Sequence, residues 1–177
     1  MKLVILDRDG TINEDSDHYI KSPDELRPIE GSLEAIARLT QAGYRIVVAT
    51  NQSGIARGLF DTSTLIAIHA LLQRQAAQAG GRIDAFFFCP HAADSSCQCR
   101  KPQPGMLVEV ARRFNVSLKD TYMVGDARRD LEAAVAAGAR PVLVLTGKGE
   151  KVQREGNLPS GTVVHRNLAA FAEQLAP

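Results

Sequence analysis

Asp7 and Asp9 follow the apolar run Lys2-Leu3-Val4-Ile5-Leu6 and precede Gly10-Thr11. Two carboxylates at the end of a core strand are costly to bury unless they are paired, bound to a cation or used in chemistry. In an extended segment residues i and i+2 share a face, so both can point at one spot. That arrangement suits an Mg²⁺ site, with one carboxylate left free to attack a phosphorus atom. A second constellation lies downstream, where Cys89-x-His91 and Cys97-x-Cys99 supply three thiolates and one imidazole. Each pair places both side chains on one side of an extended segment, and the short loop between the pairs can fold back. The set satisfies tetrahedral Zn²⁺ with no open position, the pattern of a structural site. An odd number of cysteines in so compact a cluster points to metal rather than to a disulfide framework.

The elements that must position these groups alternate along the chain. Strands are expected at Leu3–Asp7, Arg45–Thr50, Ala85–Cys89, Tyr122–Gly125 and Pro141–Leu145, with a short edge strand at Thr162–Val164. Helices are expected at Ser32–Ala42, Asp61–Ala79, Pro104–Phe114, Arg129–Ala137 and Leu168–Leu175, with Gly43 and Gly138 as stops. Strands apolar throughout and alternating with helices predict an α/β fold, a Rossmann-like three-layer sandwich around a mostly parallel sheet. The longer connections are Gly10–Gly31, Asn51–Phe60, Pro90–Gln103 and the tail after Thr146, and none has room for a large cap domain. The chain of 177 residues fits a single domain, 1–177. Its formal charge of +1 gives no field that would recruit nucleic acid or an anionic membrane. No apolar run approaches the roughly 20 residues needed to span a bilayer, and the N-terminus does not fit a signal peptide. A cytoplasmic, monomeric protein is expected.

In an open parallel sheet, ligands bind beyond the carboxyl ends of the strands. Asp7 ends the first strand, Thr50 the second and Asp126 the fourth, and Lys101 lies in the loop after the third. Four residues of the types that phosphoryl transfer requires therefore fall on one edge. Asp7-x-Asp9-Gly10-Thr11, Thr50, Lys101 and Gly125-Asp126-x-x-x-Asp130 resemble the four motifs of the haloacid dehalogenase-like phosphatases. Thr50-Asn51-Gln52-Ser53-Gly54-Ile55-Ala56-Arg57-Gly58, Cys89-Pro90-His91, Cys97-x-Cys99-Arg100-Lys101-Pro102 and Pro104-Gly105-Met106 are similar to segments of the D-glycero-D-manno-heptose 1,7-bisphosphate 7-phosphatases. The histidinol-phosphatase branch shares most of them.

The resemblance implies Asp7 as nucleophile, Asp9 as acid and base, and Mg²⁺ held by Asp7, Asp126 and the Asp9 carbonyl. It implies that Thr50 and Lys101 meet the phosphoryl oxygens, joined by the backbone amides of Arg8 and Asn51, with Asp130 supporting the metal loop from behind. The zinc loop, about 89–103, would fix Lys101 beside the crevice. A bisphosphate sugar needs a second cationic anchor, for which Arg57 and Arg100 stand first and Lys21, Arg128 and Lys148 in reserve. Gln52, Ser53 and Asp15 are placed to meet sugar hydroxyls, and His18 to cover the pocket. Some relatives carry a lysine directly after the metal aspartate where this chain has Ala127. The implied substrate is a small sugar phosphate, the 7-phosphate ester of a heptose bisphosphate on the route to nucleotide-activated heptose for lipopolysaccharide. Histidinol phosphate is the alternative substrate. A phospho-receiver domain and a zinc-stabilised binding protein are the alternatives from other classes.

Overall fold

The computed structural model describes residues 1–177. Six parallel strands form one sheet: β1 (Lys2–Leu6), β2 (Tyr44–Asn51), β3 (Ala85–Cys89), β4 (Tyr122–Gly125), β5 (Arg140–Val144) and β6 (Val163–His165). Their order across the sheet is β3-β2-β1-β4-β5-β6. The helices are α1 (Ser32–Gln41), α2 (Thr62–Gln78), α3 (Gly105–Phe114), α4 (Arg128–Ala137), α5 (Gly149–Glu155) and α6 (Leu168–Leu175).

Period-two alternation decides which face each strand residue covers. Val4 and Leu6 of β1 join Ile46, Val48, Val124 and Val142 in a core shared with α1, α2 and α6. Leu3 and Ile5 point the other way, joining Val47, Ala49 and Met123 against α3 and α4. A smaller cluster of Leu131, Leu143 and Val152 seats α5 on α4 and β5. The result is the expected three-layer sandwich. No helix is long and apolar enough to cross a membrane.

Two expectations shift. The segment after Thr146 contains α5, a helix with little sequence signal because Val152 is its one buried apolar side chain. Edge strand β6 runs one residue later than expected, and other ends move by a residue where caps take over. Asp61, for example, lies outside α2 as its N-cap, its carboxylate accepting from the Thr64 N–H at 2.8 Å.

The order of the strands places the site. Growth of the sheet reverses between β1 and β4, and a ligand crevice opens at such a switch point. Leu6 is in register with Val124 on one side and Val48 on the other. Asp7 therefore stands beside the end of β4, anchored by its N–H to the Val124 carbonyl at 2.8 Å. Thr50 lies on the opposite flank, paired with Phe88, and Asn51 is paired with Cys89 at the root of the cysteine cluster.

Ile5 is fully buried in the middle of the sheet, whereas Ile66 of α2 is 61 % exposed. Ile5→Ala should cost about 2–5 kcal/mol in urea unfolding, and Ile66→Ala should stay within about 0.5 kcal/mol of the parent.

Candidate active site and cysteine–histidine centre

A cleft of about 220 Å³ opens at the carboxyl edge, with Asp7, Asp9, Thr50, Asn51, Gln52, Ser53, Asp15 and Arg100 among its lining residues. Below it lies a buried knot of charge. Lys101 is 1 % exposed, and its ammonium meets Asp7 Oδ1 at 2.9 Å, Asp130 Oδ1 at 2.6 Å and the Ala49 carbonyl at 2.7 Å. Burial alone would depress this ammonium, but Asp130 and Asp7 hold its pKa above the ordinary lysine value. All three of its donors are thus turned toward the protein, and Lys101 does not line the cleft. In this structure its ammonium contacts Asp7 Oδ1 directly and fixes that carboxylate from behind.

Three carboxylates share one ammonium in direct contact, with the Arg129 guanidinium near but outside ion-pair distance. Burial and then the Asp130 charge push Asp7 up to about 6, against the pull of Lys101 and Arg129. Burial and the Asp7 and Asp130 charges push Asp126 up to about 8. Ligand oxygens of Asp7, Asp126 and Asp130 lie within 4.8 Å of one another. Asp130 is already engaged, by Lys101 and by the Ala127 N–H at 3.0 Å. Asp126 Oδ2 accepts from the Lys148 N–H at 2.8 Å, while its buried Oδ1 has no partner. An orphaned carboxylate oxygen beside a second carboxylate is the donor set of a hard divalent cation. The residues present therefore fit the ion, with Asp7 and Asp126 as its ligands and Asp130 behind them. Close approach here depends on Gly10 and Gly147, at φ +82 and +54, where any Cβ would run into the Asp126 carboxylate.

Asp9 is held differently. Arg8 donates to it through Nε at 2.9 Å and Nη2 at 3.1 Å, Asn13 Nδ2 at 2.9 Å and Gln52 Nε2 at 3.1 Å. Burial would raise its pKa, but the Arg8 charge and these donors hold it below the ordinary carboxylate value. Gln52 also donates to Thr50 Oγ1 at 2.9 Å, joining the two cleft walls. The Arg8 side chain is fully buried and reaches Asp9 without lining the cleft itself. Its Nη1 lies 3.2 Å from Nε2 of His69 on α2. Burial and the Arg8 charge push His69 down to about 3, so it stays neutral, stacked on Phe86 at 4.2 Å. Nothing in the local sequence marked His69, because its partner is distant in the chain.

Other expected contacts do not come to the cleft. Arg57 lies on the Asn51–Phe60 loop, where its N–H bonds to the Ser53 carbonyl; it does not line the cleft itself but stands over the ring of the cleft residue Tyr19 at 5.8 Å. His18 and Lys21 line a neighbouring surface depression instead. Arg128 is spent on the carbonyls of Gly156 and Asn157. Lys148 does line the cleft, pairing with Asp15 at 3.2 Å. Sequence reasoning missed Ser16, Asp17, Tyr19, Ile20 and Arg129, which also line it. The long first loop was a signal for four of these; Arg129 reads as a solvated helix residue.

The cysteine–histidine cluster assembles as expected. Cys89 Sγ lies 3.8 Å from Cys97 Sγ and 3.2 Å from Cys99 Sγ, and His91 Nδ1 lies 3.4 Å from Cys89 Sγ and 3.3 Å from Cys99 Sγ. A tetrahedral zinc with Zn–S bonds near 2.3 Å implies ligand separations of about 3.4–3.8 Å; these contacts lie at or slightly inside that range, so the four atoms are close enough to share one ion, and the thiols are unbridged. The loop is tied to the sheet by a reciprocal pair: Lys101 N–H donates to Asn51 Oδ1 and Asn51 Nδ2 to the Lys101 carbonyl, each at 3.0 Å.

Two outcomes follow. Cys97→Ser should lose bound zinc by elemental analysis and melt at lower temperature than the parent; an unchanged melting temperature would count against a structural ion. For the carboxylates, a pKa raised in the fold contributes stability below the unfolded value of about 4 that is lost as pH rises through the folded one. In chelator, the melting temperature should therefore fall as pH rises through about 6 and about 8, the values for Asp7 and Asp126. An added divalent cation should reverse that fall.

Comparison with known proteins agrees with the geometry. A family model described as HAD-hydrolase-like matches residues 98–171. A protein of Bordetella bronchiseptica named D-glycero-beta-D-manno-heptose-1,7-bisphosphate 7-phosphatase is 59 % identical over 99 % of this chain and 98 % of its own. A protein of the same name from Pseudomonas putida is 52 % identical over 99 % of both chains. The crystal structure of D,D-heptose 1,7-bisphosphate phosphatase from B. bronchiseptica, complexed with magnesium and phosphate, superposes with a TM-score of 0.97 at 59 % identity, covering 99 % of this chain and 98 % of that one. The chain belongs to the haloacid dehalogenase-like hydrolases, within the family of D-glycero-D-manno-heptose 1,7-bisphosphate 7-phosphatases.

Proposed function

We propose that this protein is a Mg²⁺-dependent phosphomonoesterase that removes the 7-phosphate of D-glycero-β-D-manno-heptose 1,7-bisphosphate. The observation that carries the chemistry is the pair Asp7 and Asp126 on adjoining strand tips, one with an orphaned oxygen, beneath a cleft that also holds Asp9 and Thr50. The substrate and its anomer rest on the names borne by relatives that match nearly the whole chain. The reduced cysteine cluster and the sugar-phosphate substrate favour a cytoplasmic setting.

Asp7 attacks the phosphorus and forms an aspartyl-phosphate, splitting one hard displacement into two. Lys101 holds its carboxylate in one orientation, and the Thr50 hydroxyl faces the phosphoryl oxygens from the opposite wall. Asp7 and Asp126 would hold Mg²⁺, which supplies positive charge between an anionic nucleophile and an anionic ester. Asp9 stands ionised in its cradle of donors, the form that takes a proton from the water cleaving the phosphoenzyme. To give a proton to the leaving sugar oxygen it must first gain one, and the incoming phosphate dianion raises its pKa for that step. Arg100 lines the cleft from the zinc loop and adds a cation to the substrate mouth.

Phosphate release with Mg²⁺ should be measured side by side on both heptose bisphosphate anomers and on histidinol phosphate. The β anomer should give the highest kcat/KM; a preference for histidinol phosphate would reassign the substrate. Asp7→Asn should abolish turnover while keeping the fold and bound zinc. Asp9→Asn should slow phosphoenzyme breakdown by about 100-fold or more, read as accumulation of acid-trapped phosphoprotein.

A further inference from the structure

Three cations line the cleft: Arg100, Arg129 and Lys148. Two of them have protein partners. Lys148 pairs with Asp15 at 3.2 Å, and Arg100 Nη1 lies 3.5 Å from the His91 carbonyl. Arg129 differs. It projects from the first turn of α4, its Nε is buried, and it has no hydrogen-bond partner on the protein. Asp130, Asp7, Asp126 and Asp15 surround it closely enough to keep it firmly protonated, yet no carboxylate oxygen comes within ion-pair distance of it. A buried guanidinium nitrogen without a partner is expensive, and folded proteins rarely keep one. Its planar fork of donors matches the oxygens of a phosphate, and it opens onto the same space as the nucleophile.

We infer that Arg129 is a phosphate-binding residue of the cleft, its guanidinium contacting phosphate oxygens of the substrate. This rests on the phosphatase activity proposed above and adds a contact to it. A sugar bisphosphate carries two such groups, the one being transferred and the one that stays, and the guanidinium chemistry suits either.

The test uses the full chain with Mg²⁺ and zinc, as wild type, Arg129→Gln and Arg129→Lys. KM and kcat are measured on heptose 1,7-bisphosphate and on p-nitrophenyl phosphate, which has a single phosphate, and inorganic phosphate is titrated calorimetrically. If Arg129 holds the transferred group, Arg129→Gln raises KM for both substrates and weakens phosphate binding, each by about tenfold or more. If it holds the distal group, KM rises for the bisphosphate alone. Arg129→Lys recovers part of either loss. The inference is overturned if a well-folded Arg129→Gln leaves both KM values and the phosphate affinity unchanged. It is equally overturned if only kcat falls, since Arg129 would then act on the carboxylates and not on a ligand. Should the wild type leave the bisphosphate uncut, the substrate assignment fails, while p-nitrophenyl phosphate and the phosphate titration still decide the role of Arg129.

Discussion

Asp7, Asp126 and Asp130 converge at the base of the cleft around a single ammonium, that of Lys101. The deficit of positive charge in this knot governs the rest of the structure. Burial makes each carboxylate costly, and Lys101, shared between Asp7 and Asp130, leaves Asp126 without a contact to a cation. The fold tolerates the imbalance because β1 and β4 lie side by side at the switch point, so the excess charge collects where a cation and an anionic ester can both reach it. Such an arrangement is a poor structural device and a good catalytic one. The same residues that make the empty site unfavourable give a loaded site its affinity.

Positioning is achieved by a second ring of contacts, mostly from residues that never touch the cleft. Asn51 clamps the backbone at Lys101, and Asp130 bonds the Ala127 N–H, so the zinc loop and the first turn of α4 are both tied to the knot. On the other wall, Arg8 grips Asp9 and rests against neutral His69, which is stacked on Phe86 in β3. Acid–base chemistry and nucleophilic chemistry are thus held by separate supports. Asp7 is fixed from the Lys101 side, and Asp9 from the α2 side.

The sandwich was legible in the sequence because its strands are apolar on both faces and its helices are punctuated by glycine, leaving few alternatives. Asp7, Asp9, Thr50 and Asp126 were legible for a related reason, since strand ends fix position along the chain and in space together. What resisted was direction. Lys101 was placed correctly, but its commitment to Asp7, Asp130 and the Ala49 carbonyl depends on contacts across the whole sheet. Arg57 and Arg129 could not be told apart by type: a loop leaves the first over Tyr19 at the rim, and helix phase turns the second into the cleft. Helix α5 carries too few apolar residues to announce itself.

The Asn51–Lys101 clasp has one further consequence. It joins the last residue of β2 to a loop whose shape depends on three thiolates, so the nucleophile's electrostatic partner is held, at one remove, by soft sulfur chemistry. Loss of a metal from that cluster would therefore loosen the backbone at Lys101 as well as the loop itself.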